Sequence, residues 1–242
     1  MSNGPRWIAV AIAFIVSLPT SGLEARHFSW LGHGPCPQQP CDRLVPRGFT
    51  ALGEFTPKTW ALLDEAASPG RPEERTEMLR TPEGRDIARV TVAFRRRLDD
   101  AGAGRLRDGR IVNIAEKLGG EFRYLVVPNA PFGLGSPGYR LVPYRTVVVQ
   151  ARRVPLGSVL YIPALVGMLL PNGEVHDGFC FAHDTDPALT ASRIGLFVGF
   201  DPDDSPTLKP LTSARTIQVY RVSPMTATTL NRRFKAQFDW TD

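Results

Sequence analysis

The densest run of residues able to do chemistry lies between positions 176 and 186, where His176, Asp177, Cys180, His183, Asp184, Thr185 and Asp186 fall within a short span. Carboxylates such as Asp177, Asp184 and Asp186 act as general acids or bases once burial or a neighbouring charge moves a pKa toward working pH. An Asp-Thr-Asp at the end of an apolar strand places them where a cleft can open beside a sheet. His, Cys and Asp are also metal ligands, but His176 and His183 are an odd number of positions apart and point to opposite faces of a strand. Cys180 stands between Phe179 and Phe181, the setting of a buried, inert thiol and not of a nucleophile paired with His183. These residues call for no cofactor and no metal.

The elements that must position them read as strands and turns. Residues 178–182 form an apolar strand running into the polar cluster, and Asn172-Gly173 before it favours a tight turn. Residues 110–115, 122–127, 140–150, 159–162, 194–200 and 216–222 are rich in Val, Ile and Tyr and bounded by Gly, Pro, Asn or Asp. The glycine-rich stretch 133–138 leads into no helix, so it predicts a loop over the cleft and not a phosphate cradle.

Upstream, Thr56-Pro57 predicts a helix with Trp60, Leu62, Leu63 and Ala66 on its apolar face. Residues 72–80 predict a second helix. Thr81-Pro82-Glu83 would cap a third, with Ile87, Val90, Val92, Phe94 and Leu98 inside. Arg95, Arg96 and Arg97 then read as solvated cations at its dipole-favoured end. A last helix is expected over 225–238. The predicted fold class is mainly β: a helical accessory region (26–104), a β-core (105–223) and a C-terminal helix (224–242).

Glycine and proline, 22 each in 242 residues, suit short strands joined by many turns. The net charge of +5 attracts anionic polymers. Acidic residues are interspersed with the basic ones and the chain reads as exported, so nucleic acid is not the expected partner. Export follows from Arg6, the apolar run 7–18 and the small or polar Thr20-Ser21-Gly22 after Pro19. This predicts a signal peptide over 1–25 cleaved near Ala25, the alternative being an uncleaved anchor; both place the remainder outside the cytoplasm. In that compartment Cys36 and Cys41 are expected to close a small disulfide loop, with Cys180 left over.

Within 144–199, the turn Pro155-Leu156-Gly157 is followed by Tyr161-Ile162-Pro163, His176-Asp177-Gly178 and Asp184-Thr185. Then come Ala188, Arg193-Ile194 and Leu196-Phe197-Val198-Gly199. This run resembles the 3D (three-aspartate) domain, a double-psi β-barrel shared by the membrane-bound lytic transglycosylase A family and smaller muralytic proteins. Asn129 to Gly135, and Leu141-Val142-Pro143-Tyr144-Arg145 after them, are similar to the shorter members. Two of the family's three aspartates are replaced here: the first falls on Gln150 and the third, the acid/base of the transglycosylases, on Gly195. Asp184 keeps the second, and Asp186 is new relative to the pattern.

The resemblance implies an exported cell-wall protein that acts on or binds peptidoglycan glycan strands, with other envelope proteins as further partners. As an enzyme it would be lytic transglycosylase-like. Asp184, Asp186 and Asp177 would be catalytic candidates, and His183, His176, Arg193 and Thr185 would hold substrate. The alternative is an inactive glycan-binding or scaffold protein of the envelope.

Overall fold

Residue 48 opens the first segment that the computed structural model describes; the described residues are 48–67, 75–136, 138–186, 188–200, 208, 211 and 213–238. The expected signal peptide and the Cys36 and Cys41 bridge lie outside them. A closed barrel is built from β1 (Phe49–Trp60), β8 (Thr146–Val149), β9 (Val159–Tyr161), β10 (Phe179–Thr185), β11 (Arg193–Phe197) and β12 (Ile217–Val222). Around the barrel the order is β1-β11-β8-β10-β9-β12. The remaining strands are β2 (Leu63–Asp64), β3 (Thr76–Arg80), β4 (Asp86–Thr91), β5 (Ala103–Arg105), β6 (Ile111–Leu118) and β7 (Glu121–Val126). They form a sheet ordered β2-β5-β6-β7 and a β3-β4 hairpin. Among the described residues the two α-helices are α1 (Val92–Ala101) and α2 (Pro224–Phe238).

The barrel interior follows from alternation. Val147 and Val149 of β8, Cys180 and Ala182 of β10, Ile194 and Leu196 of β11, and Ile217 and Val219 of β12 share one buried cluster with Phe55. Residues between them face outward. On the outside, Leu230 and Phe234 of α2 pack against Val159, Phe181 and Val222. The expected mainly β fold with a barrel and a C-terminal helix is what the chain adopts.

The helical accessory region is not. The segment expected to be a helix from Thr56-Pro57 is the second half of β1, which pairs with β12 as far as Phe55 and with β11 from Thr56 onward. Thr56 donates its N–H to the Ser192 carbonyl on the β11 side (2.7 Å). The next residue in a strand turns its backbone donor the other way, past the end of β12, so Pro57 forfeits no ladder bond there. Non-local pairing thus overrides a good local helix start. Thr76–Arg80, within the expected second helix, is β3. The expected third helix is divided: Asp86–Thr91 pairs with β3 as β4, and α1 begins only at Val92. Thr91 is the true N-cap, its Oγ1 accepting from the Phe94 N–H (3.1 Å), and Gly102 closes the helix in the left-handed conformation at φ 82°.

Leu79, Val90, Phe94, Leu98, Val112 and Tyr124 make a second core between α1 and these strands. The runs at 110–115 and 122–127 therefore belong to β6 and β7 of this second sheet, while Phe49–Trp60 joins the barrel.

Candidate functional site

Strand register places Asp184 and Gly195 on one row of the barrel's outer face. Lys58 pairs with Gly195, Gly195 with Val148, and Val148 with Asp184. In-register neighbours point to the same face. Strict alternation from Cys180 and Ala182 would turn Asp184 into the core. A β-bulge between Ala182 and Asp184 takes up His183 as an extra residue and turns Asp184 outward instead.

Asp184 is held as soon as it emerges. Its Oδ1 accepts the N–H groups of Ser136 (3.1 Å) and Thr185 (2.9 Å). Burial raises its pKa, opposed by those backbone donors, and the charge of Asp186 adds to the rise. The glycine-rich loop lies directly on it: a Cβ at Gly135 would stand 2.9 Å from that of Asp184. On the other side Asn113 of β6 pins the same loop, donating to the Leu134 carbonyl (2.6 Å) and accepting its N–H (3.1 Å). Tyr139 stacks on His183 with ring centroids 4.4 Å apart. The loop over the cleft is therefore tied down at both ends, and sequence reasoning missed Asn113, Ser136 and Tyr139 as its anchors.

The other candidates separate. Asp177 forms an ion pair with Arg145 and accepts the Phe179 N–H (3.1 Å). Asp186 is exposed, its Oδ1 accepting from Ala188 N–H (2.8 Å) in a local turn. Thr185 donates Oγ1–H to the Val149 carbonyl (2.9 Å), stitching β10 to β8. Arg193 is exposed at the start of β11, in the row of Thr56.

His176, read as a surface residue able to hold substrate, is fully buried. Its Nε2–H donates to the Tyr144 carbonyl (2.7 Å) and its Nδ1 accepts from Gly178 N–H (2.8 Å). It braces the backbone and touches no solvent. Burial, with the nearby Arg145 charge, lowers its pKa to about 4, and burial lowers that of His183 to about 4 as well. Cys180 is buried as expected from its two Phe neighbours, and burial pushes its thiol up to about 12. Among the described residues no group of three or more His, Cys, Asp or Glu could hold a metal ion. Of the three consecutive arginines, Arg95 pairs with Glu77 across 2.8 Å.

Gly195 itself is covered. A Cβ there would stand 3.3 Å from Trp60 Cδ1 and 3.4 Å from Val148 Cβ. Trp60, read from the sequence as a helix-face residue, lies on β1 and packs on Phe197 with ring centroids 4.4 Å apart. No candidate carboxylate is among the nearest atoms. Asp184 is two strands away, about 10 Å at ordinary strand spacing. Gln150, at the other replaced position, is half-buried, and its carbonyl accepts the N–H groups of Arg153 (2.9 Å) and Val154 (3.0 Å) to close the turn after β8.

No family model matches the sequence, and no curated protein matches it. Among solved structures, the chain is similar to E. coli MltA with bound chitohexaose, at 14% identity and a TM-score of 0.49 over 73% of this chain and 77% of that one. It is also similar to a membrane-bound lytic murein transglycosylase from Agrobacterium tumefaciens, at 13% identity and a TM-score of 0.42 over 77% of each chain. A third is the lytic transglycosylase LtgG of Burkholderia pseudomallei, at 16% identity and a TM-score of 0.36 over 70% of each chain. Likeness at this level assigns no residue and no activity.

Proposed function

We propose that this protein is exported to the cell envelope and binds peptidoglycan glycan strands on the outer face of the barrel, around Lys58, Trp60, Arg193 and Gly195, without cleaving them. One observation carries the non-cleaving reading: a Cβ at Gly195 would press on Trp60 and Val148, and the outward-turned Asp184 lies two strands away. The remaining candidates have other work. Asp177 neutralises Arg145, and Asp184 anchors a loop. Glycan binding rests on the resemblance of residues 144–199 to the three-aspartate domain and on a half-buried tryptophan beside the exposed Lys58 and Arg193. Export rests on the N-terminal leader pattern.

A second reading keeps the enzyme. The bulge turns Asp184 outward and burial raises its pKa, which is how a carboxyl group is made into a general acid. Incubation with purified sacculi separates the two. The binding reading predicts that the full chain pellets with sacculi and releases no anhydro-muropeptides. Release that disappears in Asp184→Asn would overturn it in favour of the transglycosylase. Failure to pellet, with no release, would sink both.

A further inference from the structure

The loop before β8, the hairpin at Leu170 to Glu174 and the end of α2 line a half-open pocket of about 390 Å³. That volume is toward the lower end of the range for small-molecule sites, about 300–1,000 Å³. Its walls are largely apolar, with Phe132, Leu141, Leu170 and Phe238 among them, and it also reaches Tyr144 and Arg145.

Arg145 is the unusual wall residue. Its side chain is only 5% exposed. Nη1 donates to the Asp177 carboxylate and to the Phe179 carbonyl (3.0 Å). The Nε–H is buried with no partner, and no acceptor among the described residues faces Nη2. A buried guanidinium whose fork is only partly used is costly unless something else supplies the missing acceptors.

The adjoining residue adds a second, independent sign. Tyr144 is the only non-glycine among the described residues with a positive φ, 61°. It is clamped there by its N–H to the Phe197 carbonyl (2.6 Å) and by its own carbonyl to His176 (2.7 Å). Backbone held in a disfavoured conformation clusters at binding sites.

We propose that this pocket binds a small apolar carboxylate, such as an apolar amino acid or the carboxyl end of a short peptide, with the unused Nη2 of Arg145 reading the carboxylate. Arg140 is the second basic residue of the walls, which favours an anion; the apolar remainder disfavours a sugar, most of whose hydroxyls would face hydrocarbon. The walls suit an apolar body with one terminal acceptor group. Asp177 balances one side of Arg145 and the Phe234 ring lies 5.1 Å from its guanidinium carbon, so one carboxylate oxygen meets Nη2. Glu174, exposed at the wall, is the acidic side chain lining the pocket and opposes an anionic ligand. The proposal does not depend on the glycan-binding reading.

The test is calorimetric titration of the full chain at low salt with N-acetylphenylalanine and, in parallel, with its amide. The acid should bind about ten-fold or more tightly than the amide, the loss expected when a charged hydrogen-bond partner is removed. Glu174→Lys, at an exposed position, should tighten the acid about three-fold and leave the amide unchanged. Arg145→Lys, with folding checked by circular dichroism, should reduce the preference at least about three-fold, because a single ammonium cannot hold Asp177, the Phe179 carbonyl and the ligand in the planar geometry of the guanidinium. Absence of binding, equal binding of acid and amide, or indifference of the acid to Glu174→Lys would each overturn the proposal.

Discussion

Restoring an aspartate at position 195 gives the sharpest check on the geometry of the barrel face. Gly195 is not in the left-handed region, so Gly195→Asp imposes no backbone strain, and its cost comes from space and solvation. The new Cβ would meet Trp60 Cδ1 at 3.3 Å, tighter than ordinary contact, and Val148 Cβ at 3.4 Å, at its edge, before the carboxylate is placed. Overpacking of this kind costs about 1–3 kcal/mol. A carboxylate buried there adds about 1–3 kcal/mol, less whatever the buried Trp60 Nε1–H returns by donating to it. The expected loss is therefore about 0.5–4 kcal/mol, the sum of those two terms less about 1.5–3 kcal/mol for a hydrogen bond from Trp60 to the charged group. Urea unfolding should show it as a lower midpoint at unchanged slope. Gly195→Ala, with the same Cβ contacts and no charge, should lose about 0–2.5 kcal/mol, the overpacking cost less the roughly 0.4–1 kcal/mol gained by replacing a glycine. In a Trp60→Ala background, water reaches the site and the aspartate penalty should shrink by at least about 1 kcal/mol. An equal penalty in both backgrounds, or none in either, would refute the claim that Trp60 closes this position.

Two further outcomes follow from the site. Asp184→Ala leaves the Ser136 and Thr185 N–H groups without their acceptor and should cost about 1–3 kcal/mol, with faster amide exchange across 133–139. Asp184→Asn keeps an acceptor oxygen and should cost less; unchanged exchange in both variants would refute the anchoring role. His176 and His183 have folded pKa values near 4, below the ordinary 6.5, so the folded state favours their neutral forms. Their contribution is fully present above about pH 6.5 and is lost as pH falls toward 4, with an upper limit of roughly 3 kcal/mol each. The raised pKa of Asp184 acts with the opposite sign and softens the fall at its acid end. Urea midpoints should drop between pH 7 and 4.5, and His183→Phe, which preserves the stack on Tyr139, should flatten part of that slope.

Much of the barrel was legible because its strands carry their own period. Thr146–Val149, Phe179–Thr185 and Ile217–Val222 are short, β-branched or aromatic, and bounded by turn residues. The same grammar misassigned Ile111–Leu118 and Glu121–Val126 to the barrel, since periodicity reports that a strand is half-buried and not which sheet buries it. At Thr56-Pro57 and Thr81-Pro82 local capping chemistry pointed to helices, and pairing with β11, β12 and β3 decided otherwise. Propensities worth tenths of a kcal/mol yield to a ladder of non-local bonds.

For the site, residue types alone determined that Asp177, Asp184 and Asp186 were the acids available, that Cys180 belongs in a core, and that Gln150 and Gly195 cannot transfer a proton. Only the tertiary structure decided what those acids do. A single bulged residue, His183, sets whether Asp184 faces core or cleft, and one salt bridge commits Asp177 to Arg145. Trp60 arrives over Gly195 from 135 residues earlier in the chain because β1 and β11 pair in parallel. Register, bulges and long-range strand pairing are properties of contacts between distant segments, and no local pattern encodes them.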